Sequence, residues 1–358
     1  MGMSNVTIVS GRMTGGAYGP RRHATAVGSW LLCVAFLVFL MVAIGGITRL
    51  TESGLSIVDW RPVTGILPPL DAQDWQEAFA AYRESPEYRI NNRGMSLEDF
   101  KGIYWWEYIH RLLGRLIGLA FALPLLWFWF SDRIPNGTKP RLVGLLLLGG
   151  LQGLMGWLMV SSGLVDEPEV SHIRLTAHLG LAMLIFGALF ATALDLLLER
   201  RHVHGPRLRR IGKLLLALLA IQILLGGLVA GLKAGHIHNS WPSMDGHVFP
   251  PGLLALEPML ANLTDNATFV QFAHRLGAYA LFVLALFLLL VVMRGRHSRT
   301  SRLAALLVFG AILMQAVLGI ATLLDHVPIS LGVAHQSMAA FVLASVLLFL
   351  HLHRGRRA

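Results

Sequence analysis

The sequence predicts an all-α integral membrane protein with eight transmembrane helices. Of its 358 residues, 55% are hydrophobic and only 14% are charged, whereas a soluble domain usually carries about 25% charged residues. Eight apolar segments each approach or exceed the roughly 20 residues that cross a bilayer core. The chain also repeats itself, which predicts two tandem four-helix bundles related by a pseudo-twofold axis along the membrane normal.

The eight apolar segments follow one another at short intervals, apart from two long connections at 48–106 and 232–269. Gly, Pro or single polar residues interrupt several of them, as is common in packed membrane helices. We predict helices over residues 28–47, 107–130, 141–161, 172–198, 211–231, 270–293, 303–324 and 331–352.

The net charge of +10 reflects membrane topology and does not indicate a nucleic-acid partner. Most of the basic residues lie in alternate connections, and cytoplasmic connections are enriched in Lys and Arg. Both termini are therefore expected in the cytoplasm, and both long connections outside. The basic residues on the expected cytoplasmic side are Arg12, Arg21, Arg22, Arg133, Lys139, Arg141, Arg200, Arg201, Arg207, Arg209, Arg210, Lys213, Arg294, Arg296, Arg299, Arg302, Arg354, Arg356 and Arg357.

An internal repeat organises the chain, because four features recur in the same order in both halves. The matching features are His110-Arg111 with His274-Arg275, Gln152 with Gln315, His178 with His335, and Gly45-Gly46 with Gly226-Gly227. Four helices per unit is an even number, so both units enter the membrane in the same orientation.

The repeat sets the expected domain boundaries. They are a cytoplasmic tail at 1–27, an N-terminal half at 28–198 with the outer loop 48–106, a basic cytoplasmic linker at 199–213, a C-terminal half at 214–352 and a cytoplasmic tail at 353–358.

Four histidines, His110, His178, His274 and His335, lie near the outer ends of the even-numbered apolar segments. A single histidine in an apolar helix is usually a packing residue. Four at one membrane depth, two in each half, indicate ligands, because ionisable residues within a membrane are costly and usually functional. Histidines from facing helices of a four-helix bundle can hold a heme. The pattern predicts two bis-histidine hemes.

The single cysteine, Cys33, excludes a Cys-x-x-Cys-His attachment, so any heme is held without a covalent link.

The two halves differ beside these histidines. Glu107 precedes His110 by three residues and shares its helix face, whereas the matching position in the second half is Gln271. A carboxylate at one site and an amide at the other predict one reactive heme and one supporting heme. The alternative reading of Glu107 is an acidic residue favoured by the start of a helix.

Other polar residues give weaker signals. Arg111 and Arg275 follow two of the histidines directly and could bind heme propionates, or extend to the membrane surface as interfacial arginines. His236, His238 and His247 in the second outer loop could bind a metal ion. Gln152 and Gln315 are intramembrane amides suited to hydrogen bonding across a bundle.

With these residues in view, the chain resembles the heme A synthase (CtaA) family over about 28–352. The resemblance is carried by residues 45–56 (GGITRLTESGLS), 107–114 (EYIHRLLG), 172–178 (HIRLTAH), 227–235 (GLVAGLKAG), 239–242 (NSWP), 274–277 (HRLG) and His335-Gln336. Many bacterial members carry a cysteine pair in the first outer loop. This chain has none and resembles the alphaproteobacterial and mitochondrial type.

The resemblance implies an oxidoreductase that converts heme O to heme A for cytochrome oxidase, oxidising the C8 methyl to a formyl group by successive hydroxylations. It implies that His110 and His178 hold the substrate heme O, with Glu107 as the catalytic carboxylate. His274 and His335 would hold a heme b cofactor.

The resemblance also implies a location and partners. We expect the bacterial inner membrane, with heme sites near the periplasmic face. The expected partners are heme O synthase, cytochrome oxidase assembly factors, an electron-transfer protein and a second copy of the chain.

Two other functions share parts of this pattern. A di-heme b-type subunit that passes electrons from a quinol would use the same ligands but has no evident need for a carboxylate at one heme only. A secondary transporter is also built from repeats, but its sites usually lie at the membrane midplane. Identifying the hemes extracted from the purified protein would distinguish these functions.

Overall fold

The computed structural model describes residues 19–59, 65–163, 169–198 and 205–354, with helices and turns but no strand in these ranges. The helices are α1 (Gly19–Leu50), α2 (Ala72–Arg83), α3 (Pro86–Ile90), α4 (Leu97–Phe130), α5 (Lys139–Ser162), α6 (His172–Leu197), α7 (Pro206–Gly231), α8 (Asn262–Asp265), α9 (Ala267–Arg294), α10 (Arg299–Leu324) and α11 (Ile329–Leu352).

The eight predicted membrane helices are confirmed: α1, α4, α5, α6, α7, α9, α10 and α11 are long and apolar enough to cross a bilayer. The main difference is at α4, which begins at Leu97, ten residues before the predicted start at 107. Ser96 and Asp99 form a capping box there, which satisfies backbone N–H groups that would otherwise lack partners. The first three turns of α4 therefore extend into the outer loop.

The first outer loop folds onto this extension of α4. Its charged part forms the short helices α2 and α3. Tyr82 and Phe100 are fully buried between α2 and α4, and the Tyr108 hydroxyl donates to the carbonyl of Ile66 at 2.6 Å. The loop is thus a small aromatic domain packed on the membrane unit. The Trp60-Arg61-Pro62 motif lies outside the described residues.

The membrane helices pack as two groups of four, α1, α4, α5 and α6 in one and α7, α9, α10 and α11 in the other. The groups meet where α6 contacts α7, where α11 contacts α1, and where α6 contacts α11. In the repeat, α6 corresponds to α11 and α7 corresponds to α1. The α6–α7 contact and the α11–α1 contact are therefore equivalent. The tandem-bundle symmetry stays a prediction, and this packing supports it.

Small residues bring the two groups close together. Lipid tails are as apolar as leucine, so membrane helices associate through close packing and polar contacts. A Cβ at Gly187 of α6 would lie 3.4 Å from Leu343 of α11.

At the end of α6 opposite the histidines, Asp195 accepts hydrogen bonds from Arg141 at 2.8 Å and Arg354 at 2.9 Å. These contacts tie α5 and α6 to the chain end.

The predicted linker at 199–213 is partly helical, because α7 already begins at Pro206. Residues 199–204 lie outside the described ranges, as do 1–18 of the predicted N-terminal tail and 355–358 of the C-terminal one.

Candidate functional site

Each of the four histidines packs against a glycine on the preceding membrane helix. From the position that a Cβ would take, the imidazole Cε1 lies 3.0 Å away for Gly45–His110, 3.1 Å for Gly156–His178, 3.3 Å for Gly226–His274 and 2.7 Å for Gly319–His335. A larger residue would push each ring aside, because real Cβ atoms rarely approach another atom this closely. The four contacts show that the repeat extends to the surroundings of each ring.

The structure brings the histidines together in the two predicted pairs. The ring centroids of His274 and His335 are 6.4 Å apart, with planes inclined at 74°. A separation of this size would allow both imidazoles to bind one metal ion, since metal–imidazole bonds are about 2.0–2.1 Å long. His110 and His178 in the first half are close enough to interact electrostatically.

Glutamine amides contact three of the four rings. Gln152 Nε2 lies 3.2 Å from His178 Nε2, and Gln315 Nε2 lies 3.4 Å from His335 Nε2. Gln222 Nε2 lies 3.1 Å from His274 Nδ1 and donates to its backbone carbonyl at 2.9 Å. Gln152 and Gln315 were predicted as intramembrane hydrogen-bonding amides, whereas Gln222 was not predicted. The shared spacing Gln-x-x-x-Gly would have revealed it.

Several buried polar atoms around the histidines have no hydrogen-bond partner among the described residues. They are His110 Nδ1, His335 Nδ1, Gln152 Oε1, Gln222 Oε1 and Gln315 Oε1. An unsatisfied buried polar atom costs about 1–3 kcal/mol, and such atoms are rare in folded proteins. A cluster of them at both histidine pairs indicates sites built to receive a ligand, and imidazoles suit the iron of a heme.

Glu107 is almost fully buried and joins α4 to the first outer loop. Its Oε2 accepts hydrogen bonds from the Ser56 hydroxyl at 2.7 Å and from the Ile57 backbone N–H at 2.8 Å. Its Oε1 accepts from Arg111 Nη2 at 2.6 Å and Nε at 3.0 Å. Four hydrogen bonds therefore fix the orientation of this carboxylate. Ser56 and Ile57 were not predicted, because they lie about 50 residues away along the chain.

The second half repeats this arrangement without a carboxylate. Gln271 is equally buried, and its Nε2 donates to the carbonyl of Ala234 at 2.9 Å. Arg275 donates to the carbonyls of His238 at 2.8 Å and Ser240 at 2.9 Å. Likewise, Arg111 Nη2 donates to the carbonyl of Ile57 at 2.7 Å. Each arginine therefore anchors its own outer loop above its own histidine pair.

Ionic contacts join the two halves at this same end. Lys233 pairs with Glu52 at 2.6 Å and Glu169 at 2.8 Å, and the hydrogen bond from Lys233 lowers the pKa of Glu52. Arg49 donates to the carbonyl of Ala230 at 3.0 Å. His172 Nε2 lies 2.9 Å from Asp265 Oδ1. The two histidine pairs are thus held in a fixed relation.

The loop histidines do not form a metal centre in the part of the chain that the structure describes, where no group of three or more His, Cys, Asp or Glu residues is arranged for a metal. His238 instead pairs with Asp245 at 2.6 Å, and this hydrogen bond lowers the pKa of Asp245. His247 lies 3.0 Å from the backbone carbonyl of Asp245.

Comparisons with known proteins agree on one family. The COX15-CtaA model, described as cytochrome oxidase assembly protein, matches residues 28–347. The heme A synthase of Bradyrhizobium diazoefficiens is 51% identical over 327 residues, 90% of each chain. That of Chelativorans sp. is 49% identical over 326 residues, again 90% of each chain. That of Parvibaculum lavamentivorans is 48% identical over 329 residues, covering 92% of this chain and 94% of the relative.

Proposed function

The chain belongs to the COX15-CtaA family of cytochrome oxidase assembly proteins. We propose that its two halves have different roles in heme A synthesis. The protein is a multi-pass membrane oxidoreductase that makes heme A from heme O. We assign the substrate heme O to the first half, between His110 and His178. A heme b cofactor is assigned to the second half, between His274 and His335.

The observation that carries this division is the contrast between Glu107 and Gln271. Both are buried, both lie three residues before a histidine, and both contact the arginine four residues later. They differ in chemistry, because a carboxylate can act as a base and an amide cannot. Chemistry that moves protons therefore belongs in the first half.

Glu107 is the proposed catalytic carboxylate. Oxidising a methyl group to an alcohol and then to an aldehyde releases protons, which a positioned base can take up. The ion pair with Arg111 and the donors Ser56 and Ile57 hold the carboxylate in one orientation one turn from His110. The same contacts anchor the first outer loop to α4.

The second half fits a resident cofactor. Gln222 and Gln315 contact its two histidines, and amides cannot titrate there. Groups that orient a metal-bound histidine also fix its tautomer. When bound, heme b supplies one-electron redox chemistry.

Arg111 and Arg275 are proposed to bind heme propionates in addition to anchoring the outer loops. Each guanidinium follows its histidine directly in the helix and donates to a carbonyl of its outer loop. A guanidinium carries five N–H donors, so it can serve loop carbonyls and a carboxylate together.

The proposed orientation places both termini in the cytoplasm and the heme sites near the periplasmic face of the bacterial inner membrane. It is supported by the basic residues at the ends opposite the histidines, among them Arg141 and Arg354. The proposed partners are heme O synthase, oxidase assembly factors, an electron-transfer protein and a second copy of the chain.

The identity of the bound pigments tests the proposal. The full-length protein is purified from cells that make heme O, and its hemes are extracted and separated. We expect heme b together with heme O or heme A. Heme b alone, in cells rich in heme O, would favour the di-heme electron-transfer alternative, which the relatives do not support. Protein without any heme would exclude both.

A further inference from the structure

In three of the four membrane helices that place a glycine against a histidine ring, the residue four positions before that glycine also contacts the ring. In three helices this residue is glutamine: Gln152 before Gly156, Gln222 before Gly226 and Gln315 before Gly319. In α1 the residue four before Gly45 is Met41. Residues four apart lie on one helix face, so Met41 occupies the position of the missing fourth glutamine.

The contacts confirm that Met41 and Gln222 occupy matching places. A Cβ at Gly277, three residues after His274, would lie 2.1 Å from Gln222 Oε1. A Cβ at Gly114, four residues after His110, would lie 3.5 Å from Met41 Cε. Each side chain thus reaches the helix that carries the histidine, about one turn beyond it.

The consequence is a difference between the four imidazoles. His178, His274 and His335 each have a glutamine amide within 3.4 Å of a ring nitrogen. An amide offers a ring nitrogen both N–H donors and an acceptor oxygen, whereas a thioether is only a weak acceptor. His110 Nδ1 is buried without a hydrogen-bond partner. His335 Nδ1 also lacks a partner, but its other nitrogen faces Gln315.

Such contacts matter for a metal ligand. Hydrogen bonds to the surroundings of a ligating histidine hold the ring in place, and removing them typically weakens metal binding or activity about 10–100-fold. Of the four rings, His110 therefore has the weakest support. It also lies one turn from the buried carboxylate of Glu107.

We propose that His110 is the exchangeable ligand of the substrate heme, and that Met41 is the positioning residue that leaves it exchangeable. This rests on the proposed function of the first half. The exchange breaks the iron–nitrogen bond to His110 and forms a bond to an incoming neutral ligand, without electron transfer. His178, supported by Gln152, stays bound. The face that opens is then the face on which Glu107 lies.

Carbon monoxide is a suitable probe, because it binds ferrous heme at a position that a ligand has vacated. The purified full-length protein is loaded with hemin to two hemes per chain, reduced and exposed to CO. We expect about half of the heme to react in the wild-type protein. Met41→Gln should slow or weaken this reaction about 10–100-fold, while Met41→Leu should leave it unchanged.

A reciprocal variant, Gln222→Met, tests the same inference if Met41→Gln does not fold. Gln222→Met should make the second heme reactive towards CO, while its low-spin spectrum in the absence of CO persists. Wild-type protein in which both hemes resist CO, or Met41→Gln protein that reacts like the wild type, would overturn the inference alone. Protein that never accepts two hemes would overturn the proposed function and this inference with it.

Discussion

Arg111 binds Glu107 through two nitrogens, Nη2 at 2.6 Å and Nε at 3.0 Å, both on the same carboxylate oxygen Oε1. Both side chains are largely buried, 12% exposed for Arg111 and 4% for Glu107. Removing one partner of a buried ion pair is far more disruptive than weakening a surface pair. Substitutions of Glu107 must therefore keep its shape if they are to report on chemistry.

Glu107→Gln should retain heme but lower heme A production by about 10²–10⁴-fold, because the base is lost while an amide oxygen can still accept from Arg111. The measurement is the ratio of heme A to heme O in cells that depend on the variant. Gln271→Glu is the matched control and should change mainly the spectrum or potential of the second heme. Unimpaired heme A production by Glu107→Gln would remove the catalytic role.

His274→Ala and His335→Ala should each lose the resident heme b, because each variant would leave only one of the two imidazoles proposed to hold it. The measurement is the low-spin b-type spectrum of the purified variants. His238→Ala, in the same half but outside the pair, should keep that spectrum. Both ligand variants retaining a normal spectrum would show that the ligands are assigned wrongly.

Gly319→Ala should distort the second site, since the new Cβ would lie 2.7 Å from His335 Cε1. Gly114→Ala is the control, because its Cβ would meet Met41 at an ordinary 3.5 Å. Alanine favours a helix by about 1 kcal/mol over glycine, so helix formation is not at risk. We expect the ratio of heme to protein to fall in Gly319→Ala alone. Equal ratios in both variants would contradict the close packing.

Glu87 should make the first outer loop less stable as pH rises. Burial raises the pKa of Glu87 to about 7, although the hydrogen bond from Tyr82 acts in the opposite direction. A raised pKa favours the folded state while the group is protonated. Its contribution is complete below about pH 4.5 and is lost as pH rises through about 7.

Limited proteolysis of the loop at pH 5 and pH 8 measures this effect. Cleavage should be faster at pH 8 in the wild-type protein, and Glu87→Gln should remove most of the difference. Glu84→Gln, on the exposed surface nearby, is the control and should keep it. A pH dependence that survives in Glu87→Gln would assign the effect to another group.

Accessibility labelling should place residues 205–213 in the cytoplasm and the connection at 232–261 outside. The reason is that α7 begins with Arg207, Arg209, Arg210 and Lys213, and basic residues are retained inside. Single cysteines introduced in each segment of a Cys33→Ser protein, reacted with a membrane-impermeant reagent, measure this. An outward-facing start of α7 would place all four histidines near the cytoplasm.

The sequence by itself determined the eight membrane helices and predicted a shared depth for the four histidines. Apolar length decides which segments cross a bilayer, and the offset between the repeats assigns the histidines to matching helices. It also revealed the contrast between Glu107 and Gln271, because a spacing of three residues defines a shared helix face. These features depend on local periodicity and are independent of how the helices pack.

Only the tertiary structure decided which neighbour each face meets. Helical periodicity places Met41 and Gly45 on one face but does not say that His110 lies opposite that face. It likewise could not show that Ser56 and Ile57 hold Glu107, because a loop contact across about 50 residues depends on the folded path. The early start of α4 goes with aromatic packing of Phe100 against Trp75 and Tyr82 of α2, a contact between separate segments that the apolar length of one segment does not reveal.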